Sequence, residues 1–459
     1  VGCSIIIGGG AGGCLVAAQW LRRAVGPARL VLIERSAAVG RGFAYGTIEP
    51  GHLLNVPAGR MGAFPDEPEH FLRWVAARVG EPGFPAAVGP GDFLPRRLYG
   101  RYLGEVLAAA RAAAAPGVEF DVIQGEAVDL EERPEGARVT LGDGRIVEGS
   151  RVVLALGNLP GEYPIKRPLP FYHGARYVHI PWQNDALAGL SGDEDVLLVG
   201  AGLTAIDILV RAEASGHRGV IHALSRNGLR PLVHRAAPAY PPLLADEPPP
   251  GTVRALLRRV REEVRSAAAR GIDWRPVIDA LRPRSQALWA ALSWPERARF
   301  MRHLRPYWEV HRHRLAPQVA DAVTRLEASG RVRFHAGRLE VLREVGGAAE
   351  AVFRRRGRAD RVLLRVARVI NCTGPRSDYS KFQHPLLVNL LARGLIDHDP
   401  LALGIQALPT GEVLRYRAGP TGWLFTLGAP LKGVLWESTA MPEIRVQAQA
   451  LAERLLFDR

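Results

Sequence analysis

The chain has 459 residues, 47% of them hydrophobic and 23% charged, and 60 Lys+Arg against 46 Asp+Glu leave a formal net charge of +14. This is the profile of a globular protein with room for two or three domains, and it excludes a mostly disordered chain. No apolar run reaches the roughly 18 residues of a membrane span, and three cysteines (Cys3, Cys14, Cys372) without a C-x-x-C pair argue against a disulfide scaffold, dithiol redox chemistry and a cysteine zinc site.

Lys occurs only at Lys166, Lys381 and Lys432, so the positive charge is nearly all Arg. With the heavy Ala, Gly and Pro usage, this reads as a GC-rich coding habit and a solvated surface. The functional alternative is a field that steers an anionic cofactor or substrate. No motif points to nucleic acid or a membrane as partner. The numbering opens on a strand with no visible signal peptide, so a reducing cytoplasm is the expected compartment.

The first element is the β-branched run Ser4–Ile7, followed by Gly8-Gly9-Gly10-Ala11-Gly12-Gly13 and a helical stretch from Cys14 to Ala24. This is strand, G-x-G-x-x-G, helix. Gly8 permits the tight turn, Gly10 lets the backbone approach a pyrophosphate, and Gly13 lets helix and strand pack closely. A pyrophosphate would sit at the helix N-terminus, where free N–H groups favour an anion. The next strand, Leu30–Ile33, ends in Glu34, whose carboxylate can accept ribose hydroxyls.

Strand-like runs follow at 118–123, 127–130 and 137–141, with a hairpin signal at Asp143-Gly144, and the block closes on 151–157, ending in Gly157. A second block then repeats the first. Val196–Val199 leads into Gly200-Ala201-Gly202-Leu203-Thr204-Ala205, a helix over 206–212, and the strand 220–224 running into Ser225-Arg226. Ala205 stands where the third Gly would be, a replacement that helix–strand packing tolerates. Glu34 lies 26 positions after Gly8, and Arg226 lies 26 positions after Gly200. An acid at that point suits free ribose hydroxyls; Arg beside Ser suits a 2′-phosphate. The first unit is therefore expected to take FAD or NAD, and the second NADPH.

Residues 238–251 are too Pro-rich for a regular element, and 252–330 read as helical. This insert is larger than nucleotide binding needs, so it is either a substrate cap or a homo-oligomer surface. Trp274, Trp289, Trp294 and Trp308 fall in it and read first as core. Arg302, His303, Arg305 and His311 also lie in it; they read first as polar helix surface, and alternatively as candidates for binding an anionic substrate if one helix continues past Pro306. His311-Arg312-His313 has no third ligand at helical spacing, so no metal site is assigned. A meander returns at 332–335, 338–345 and 351–355, and the block closes on 368–374, ending in Gly374. The last strand, 424–428, ends in Gly428, and Pro442-Glu443 marks a final helix start that could face a flavin pyrimidine ring.

The expected fold class is α/β, with two Rossmann-like dinucleotide-binding domains and a helical insertion. Boundaries are placed at 1–192, 193–366 (insert at about 252–330) and 367–459. This arrangement resembles the flavoproteins with two dinucleotide-binding domains and a glutathione-reductase-like fold. Four stretches match a subfamily more narrowly: GRGFAYGT (40–47), HLLNVPAGRMGAF (52–64), RFMRHLRPYWEVHRHRLAP (299–317) and LWESTAMPEIR (435–445). That subfamily includes a bacterial urate hydroxylase and a bacterial aspartate N-monooxygenase.

The resemblance implies FAD in the discontinuous outer domain and NADPH in the inserted one. It implies Gly8, Gly10, Ala11, Gly13, Glu34, Arg35, Asn55, Met61, Gly157, Gly374 and Gly428 around FAD. Around NADPH it implies Gly200, Gly202, Leu203, Thr204, Ser225 and Arg226. Relatives often carry Asp after the strand Gly, where this chain has Ala429. The implied reaction is hydroxylation of a small, polar, anionic molecule with O2, through a flavin C4a-hydroperoxide. The substrate would be a purine such as urate or an amino-acid nitrogen. No catalytic acid or base is assigned, because the cofactor carries the hard step. An NADPH-dependent flavin reductase or electron-transfer protein, and a non-enzymatic nucleotide sensor, are the alternatives.

Overall fold

A computed structural model describes residues 2–182, 186–244 and 247–457. Along the chain run β1 (Cys3–Ile7), α1 (Ala11–Arg23), β2 (Ala28–Glu34), α2 (Gly42–Tyr45), α3 (His70–Ala76), α4 (Arg96–Ala112), β3 (Val118–Gln124), β4 (Ala127–Arg133), β5 (Gly136–Leu141), β6 (Ile146–Gly149) and β7 (Arg151–Leu154). Next come β8 (Tyr177–Val178), β9 (Val196–Val199), α5 (Leu203–Ala214), β10 (Ile221–Ser225), α6 (Val253–Ala269), α7 (Trp274–Asp279), α8 (Ser285–Ala291), α9 (Trp294–His303), α10 (Arg305–Arg312) and α11 (Pro317–Ala328). The last are β11 (Val332–Val345), β12 (Ala348–Arg355), β13 (Arg361–Val366), β14 (Arg368–Asn371), α12 (Pro385–Ala392), β15 (Glu412–Arg415), β16 (Gly419–Thr426) and α13 (Met441–Phe457).

The chain forms two compact units, one of residues 1–48, 56–159 and 377–459, the other of 49–55 and 160–376. The first holds a six-stranded sheet in the order β15-β16-β7-β1-β2-β3, and a separate meander β4-β5-β6. The second holds a seven-stranded sheet, β13-β12-β11-β10-β9-β14-β8. In each, the first strand lies between its chain successor and the strand that closes the block: β1 pairs in parallel with β2 and β7, and β9 with β10 and β14. This reversal of strand order is the topological switch point where open α/β sheets bind ligands. The central strands are apolar without alternation because both sheet faces are covered; Ile5 and Ile6, and likewise Leu197 and Leu198, are wholly buried.

The boundaries differ from the sequence reading in three places. The first crossing falls after Leu159 and not at 192, because Tyr177 of β8 pairs with Val369 of β14 and joins the core of the second unit with Phe171 and Tyr172. The last crossing falls after Arg376 and not at 366, because β14 is the parallel neighbour of β9. The segment 49–55 belongs to the second unit, held by a Glu49–Arg211 ion pair and by the His52 ring N–H, which donates to the Asp207 carbonyl at 3.1 Å.

The helical insert appears where expected, as α6–α11, with a core of its own formed by Val277, Leu281 and Leu288. Leu243 and Leu244 of the Pro-rich stretch are buried in it; residues 245 and 246 lie outside the described residues. Of its tryptophans, Trp289 is buried, and Trp274 and Trp308 pack on the core. Trp294 is 47% exposed, which departs from the core expectation. Its ring is covered by the Arg297 guanidinium at 4.9 Å instead. The two meander strands read at 332–335 and 338–345 are one strand, β11, which passes from the parallel sheet into the meander through an irregularity at Leu339/Val341.

Two imidazoles meet inside the second sheet: His222 Nδ1 of β10 lies 2.9 Å from His335 Nε2 of β11. Burial, then His222, Arg355 and Arg333, push His335 down to about 4 from an ordinary 6.5. Burial also lowers His222, against the pull of Asp195. His234 is likewise down to about 4, through burial and then Arg314. Unfolded imidazoles take up protons near 6.5, whereas His234 and His335 in the fold resist until about 4. Their stabilising contribution is therefore complete above pH 6.5 and drains away as the pH falls toward 4. The melting temperature should decline through that window, and His335→Asn should flatten the decline. A slope identical in parent and variant would show that this pair does not couple to folding.

Candidate functional site

The first turn is fixed by contact. Gly8 sits at φ +104°, and a Cβ there would stand 2.4 Å from the Ala155 carbonyl oxygen at the end of β7. Its N–H donates to Ile33 at 2.8 Å. A Cβ on Gly13 would fall 1.9 Å from the Gly8 oxygen, whereas one on Gly10 would meet only Gly42 Cα, at 3.8 Å. The face of Gly10 is thus open. α1 begins at Ala11, three residues earlier than the sequence suggested, with Gly10 as N-cap, no side-chain cap and no acid in its first turn. Its N-terminal N–H groups and positive dipole end suit a pyrophosphate.

Glu34 is held beside this turn. Its Oε2 accepts from Gly9 N at 2.6 Å, and its Oε1 accepts from the Ser36 N–H at 2.8 Å and hydroxyl at 2.6 Å. A carboxylate has about four lone-pair sites, so capacity remains for a ribose hydroxyl. The residues present therefore fit an adenine dinucleotide with free ribose hydroxyls. Arg35 points elsewhere, lying 3.7 Å from Glu126 and over the Phe43 ring at 5.4 Å.

The second turn repeats this geometry with different chemistry. Gly200 has φ +127°, and a Cβ there would be 2.0 Å from the Cys372 oxygen beyond β14. Its N–H donates to Leu224 at 2.7 Å. Gly202 has open space and caps α5, which starts at Leu203 and Thr204 with no acid in its first turn. Ala205, in place of the third Gly, is fully buried. At the reading position the Ser225 hydroxyl is buried without a hydrogen-bond partner, and Arg226 is exposed with no carboxylate partner among the described residues. An orphan hydroxyl beside a free guanidinium fits a phosphate.

Gly157 and Gly374 occupy equivalent places beyond β7 and β14, with φ +63° and +85° and open space where a Cβ would be. Gly374 lies in the second unit, as does Asn55, although both were grouped with the FAD set. Gly428 spends its own backbone internally: its N–H donates to Gln447 at 2.8 Å and its oxygen accepts from the Ser438 hydroxyl at 2.8 Å. Ala429 opens a short 3-10 turn, Ala429–Leu431.

Sequence reasoning missed how the matching motifs are held. Met61 is buried, and the backbone on its C-terminal side is clamped from two directions. Ala63 N donates to the Tyr102 hydroxyl at 2.9 Å, and Arg445 of LWESTAMPEIR donates to the Gly62 oxygen at 3.0 Å. Tyr45 of GRGFAYGT meets Tyr99 with ring centroids 4.8 Å apart. In the second unit, His234 donates to the Asn55 oxygen at 3.1 Å. Only the motif matches signalled these positions in the sequence.

The four candidate substrate residues do not form one face. Leu304 breaks the helix, so His303 ends α9, whereas Arg305 and His311 lie in α10, with Pro306 in its first turn. Arg302 and His303 are exposed. Arg305 pairs with Glu309 at 2.6 Å, and His311 Nδ1 lies 2.7 Å from the Tyr307 oxygen with its ring edge-on to Trp274. The buried cations of the insert are others: Arg275 is bound to Asp273 and the Val233 oxygen, and Arg314 to Asp279.

Residues 5–159 match the FAD-NAD(P)-binding family model. A nitrosuccinic acid synthase of Aspergillus oryzae is 34% identical over 150 residues, which are 31% of this chain and 23% of that protein. The match thus spans about a quarter of the relative's length. Among solved structures, an ornithine N-hydroxylase of Kutzneria sp. 744 aligns over 98% of this chain and 99% of its own, at 15% identity and TM-score 0.60. A FAD-bound cadaverine monooxygenase of Erwinia amylovora aligns over 99% and 94%, at 14% identity and TM-score 0.63. The chain therefore has the fold with two dinucleotide-binding domains that these flavoproteins share.

The two glycines of the second turn make separable demands. Gly200→Ala places a methyl against a carbonyl at a backbone angle that L-residues avoid, and should cost about 2 kcal/mol or more in urea unfolding. Gly202→Ala has φ −83° and empty space, and should stay within about 0.5 kcal/mol of the parent. Equal losses would contradict the contact at Cys372.

Proposed function

We propose that this chain is an FAD- and NADPH-dependent monooxygenase that adds one oxygen atom from O2 to the nitrogen of a small anionic amino acid, in the cytoplasm. One observation carries the reading: two turn–helix units of the same geometry end in opposite chemistries, a carboxylate at Glu34 and a hydroxyl with a guanidinium at Ser225-Arg226. That asymmetry supports a dinucleotide with free ribose hydroxyls in the first unit and a 2′-phosphorylated one in the second. The names of the matched proteins, an ornithine N-hydroxylase and a nitrosuccinic acid synthase, support nitrogen rather than purine carbon as the oxidised atom. The formal charge of +14 favours an anionic substrate.

FAD, when bound, supplies hydride acceptance from NADPH and the activation of O2. The protein's own work is placement and exclusion of water. Gly8, Gly10 and the α1 N-terminus receive the pyrophosphate, and Glu34 receives the ribose. Gly200, Gly202 and the α5 N-terminus do the same for NADPH, and Ser225 with Arg226 selects its 2′-phosphate. Cysteine chemistry has no support: Cys14 is fully buried, its thiol pushed up to about 12 by burial, and burial also raises Cys372.

The reading is tested with 18O2, NADPH, the FAD-loaded protein and aspartate as first substrate. The expected product carries one labelled oxygen on nitrogen. NADPH consumption that returns all the oxygen as hydrogen peroxide, with any small amino acid tried, would replace this reading with a reductase.

Selection of NADPH is tested apart from the chemistry. Arg226→Ala should raise the KM for NADPH in flavin reduction about tenfold or more and that for NADH less than twofold, because only NADPH offers a phosphate to the guanidinium. Equal effects on both donors would remove Arg226 from the site.

A further inference from the structure

We infer that Arg356, from the turn between β12 and β13, is the second cation of the 2′-phosphate site and sets donor specificity together with Ser225 and Arg226. The inference rests on the NADPH reading above.

Position carries the first part of the argument. Ser225 is paired in register with Ala336 of β11, and the Ala336 oxygen accepts the Arg356 N–H at 2.9 Å. The main chain of Arg356 is therefore anchored one strand away from Ser225. Its guanidinium reaches back: Nη1 donates to the Asn227 oxygen at 3.2 Å, the residue next to Arg226. The loop between lies flat on the sheet, for Gly228 has φ +67° and a Cβ there would meet the Ala336 Cβ at 2.8 Å. Ser225, Arg226 and Arg356 thus rim one short loop at the carboxyl end of β10.

Charge carries the second part. On the strands that flank the turn, Arg354 and Arg361 are neutralised by Glu340, at 3.2 and 2.7 Å, and Arg355 by Asp360 at 3.6 Å. Arg358 of the same turn shares with Arg356 the lack of a carboxylate partner among the described residues, but only Arg356 bonds to the loop 225–228. Arg226 and Arg356 have no carboxylate partner among the described residues, although the carbonyl of residue 227 draws the second cation to the loop that bears the first. Two uncompensated like charges beside a buried hydroxyl that lacks a partner make a site that an anion stabilises. A phosphate monoester carries close to two negative charges at neutral pH. One arginine neutralises only half of that; two match it. The single hydrogen bond to Asn227 leaves four of the five Arg356 N–H donors for phosphate oxygens.

The test is calorimetric binding of adenosine 2′,5′-bisphosphate and of 5′-AMP to the FAD-loaded full chain, with Arg356→Gln and Arg226→Gln beside the parent. The parent should prefer the bisphosphate at least tenfold. Arg356→Gln should weaken the bisphosphate about tenfold and 5′-AMP less than twofold. Arg356→Gln that binds the bisphosphate as the parent does, while Arg226→Gln does not, would overturn the role of Arg356 and leave the NADPH reading standing. Equal weakening of both ligands would also overturn it, since a residue that only shapes the loop affects adenosine and phosphate alike. A parent with no preference for the bisphosphate would take down the NADPH reading itself.

Discussion

The rest of this structure depends on a contact too close for a side chain. In each unit a glycine leaves the central strand and brings its Cα against the carbonyl beyond the closing strand, Ala155 in one and Cys372 in the other. Each glycine N–H also bonds to the neighbouring strand on the opposite side, at Ile33 and Leu224. The turn is thereby pinned at the switch point of its sheet. The direction of the following helix, and with it the direction of its free N–H groups, follows from that pin. A methyl group at either position would displace the helix start and turn its free N–H groups aside.

With the geometry held the same, chemistry is free to vary at one place. The strand after each turn delivers its last residues to the same spot, and there the two units diverge. Glu34 is bound by the first turn itself, through Gly9, so the acid is part of the turn's own hydrogen bonding. Nothing in the second turn binds Ser225 or Arg226 in this way. The first unit carries a preformed acceptor, the second an unfilled donor set. A duplicated frame with one divergent position needs few substitutions to hold two nucleotides in distinct roles.

How much of this was legible in the sequence depended on the range of the interaction. Strand–turn–helix order and the helices of the insert are local, written in runs of a few residues, and these elements stand where expected. The unit boundaries were misread because pairing decides them. Nothing within Arg368–Asn371 states that its neighbour is Val196–Val199, and the two residues of β8 are too short to leave a periodic signal. The basic stretch 302–311 was legible as composition only. Whether its cations share a face turned on one break at Leu304, and Arg305 and His311 found partners within their own helix. The clamps of Tyr102 and Arg445 on residues 62–63 join positions up to 383 apart, which no local pattern encodes.

The segment 49–55 bears on how such a protein can be inherited. Its neighbours on both sides belong to the first unit, yet Glu49 bonds to Arg211, His52 to Asp207 and Asn55 to His234, each in the second. The inserted unit is therefore not one contiguous stretch of gene. Recombination that exchanged residues 160–376 between two such proteins would leave behind the seven residues that cover α5. The graft would then meet a strap shaped for another helix. The chemistry at the end of β10 should thus drift by point substitution around Ser225, and the unit itself should pass from parent to offspring with the N-terminal region attached.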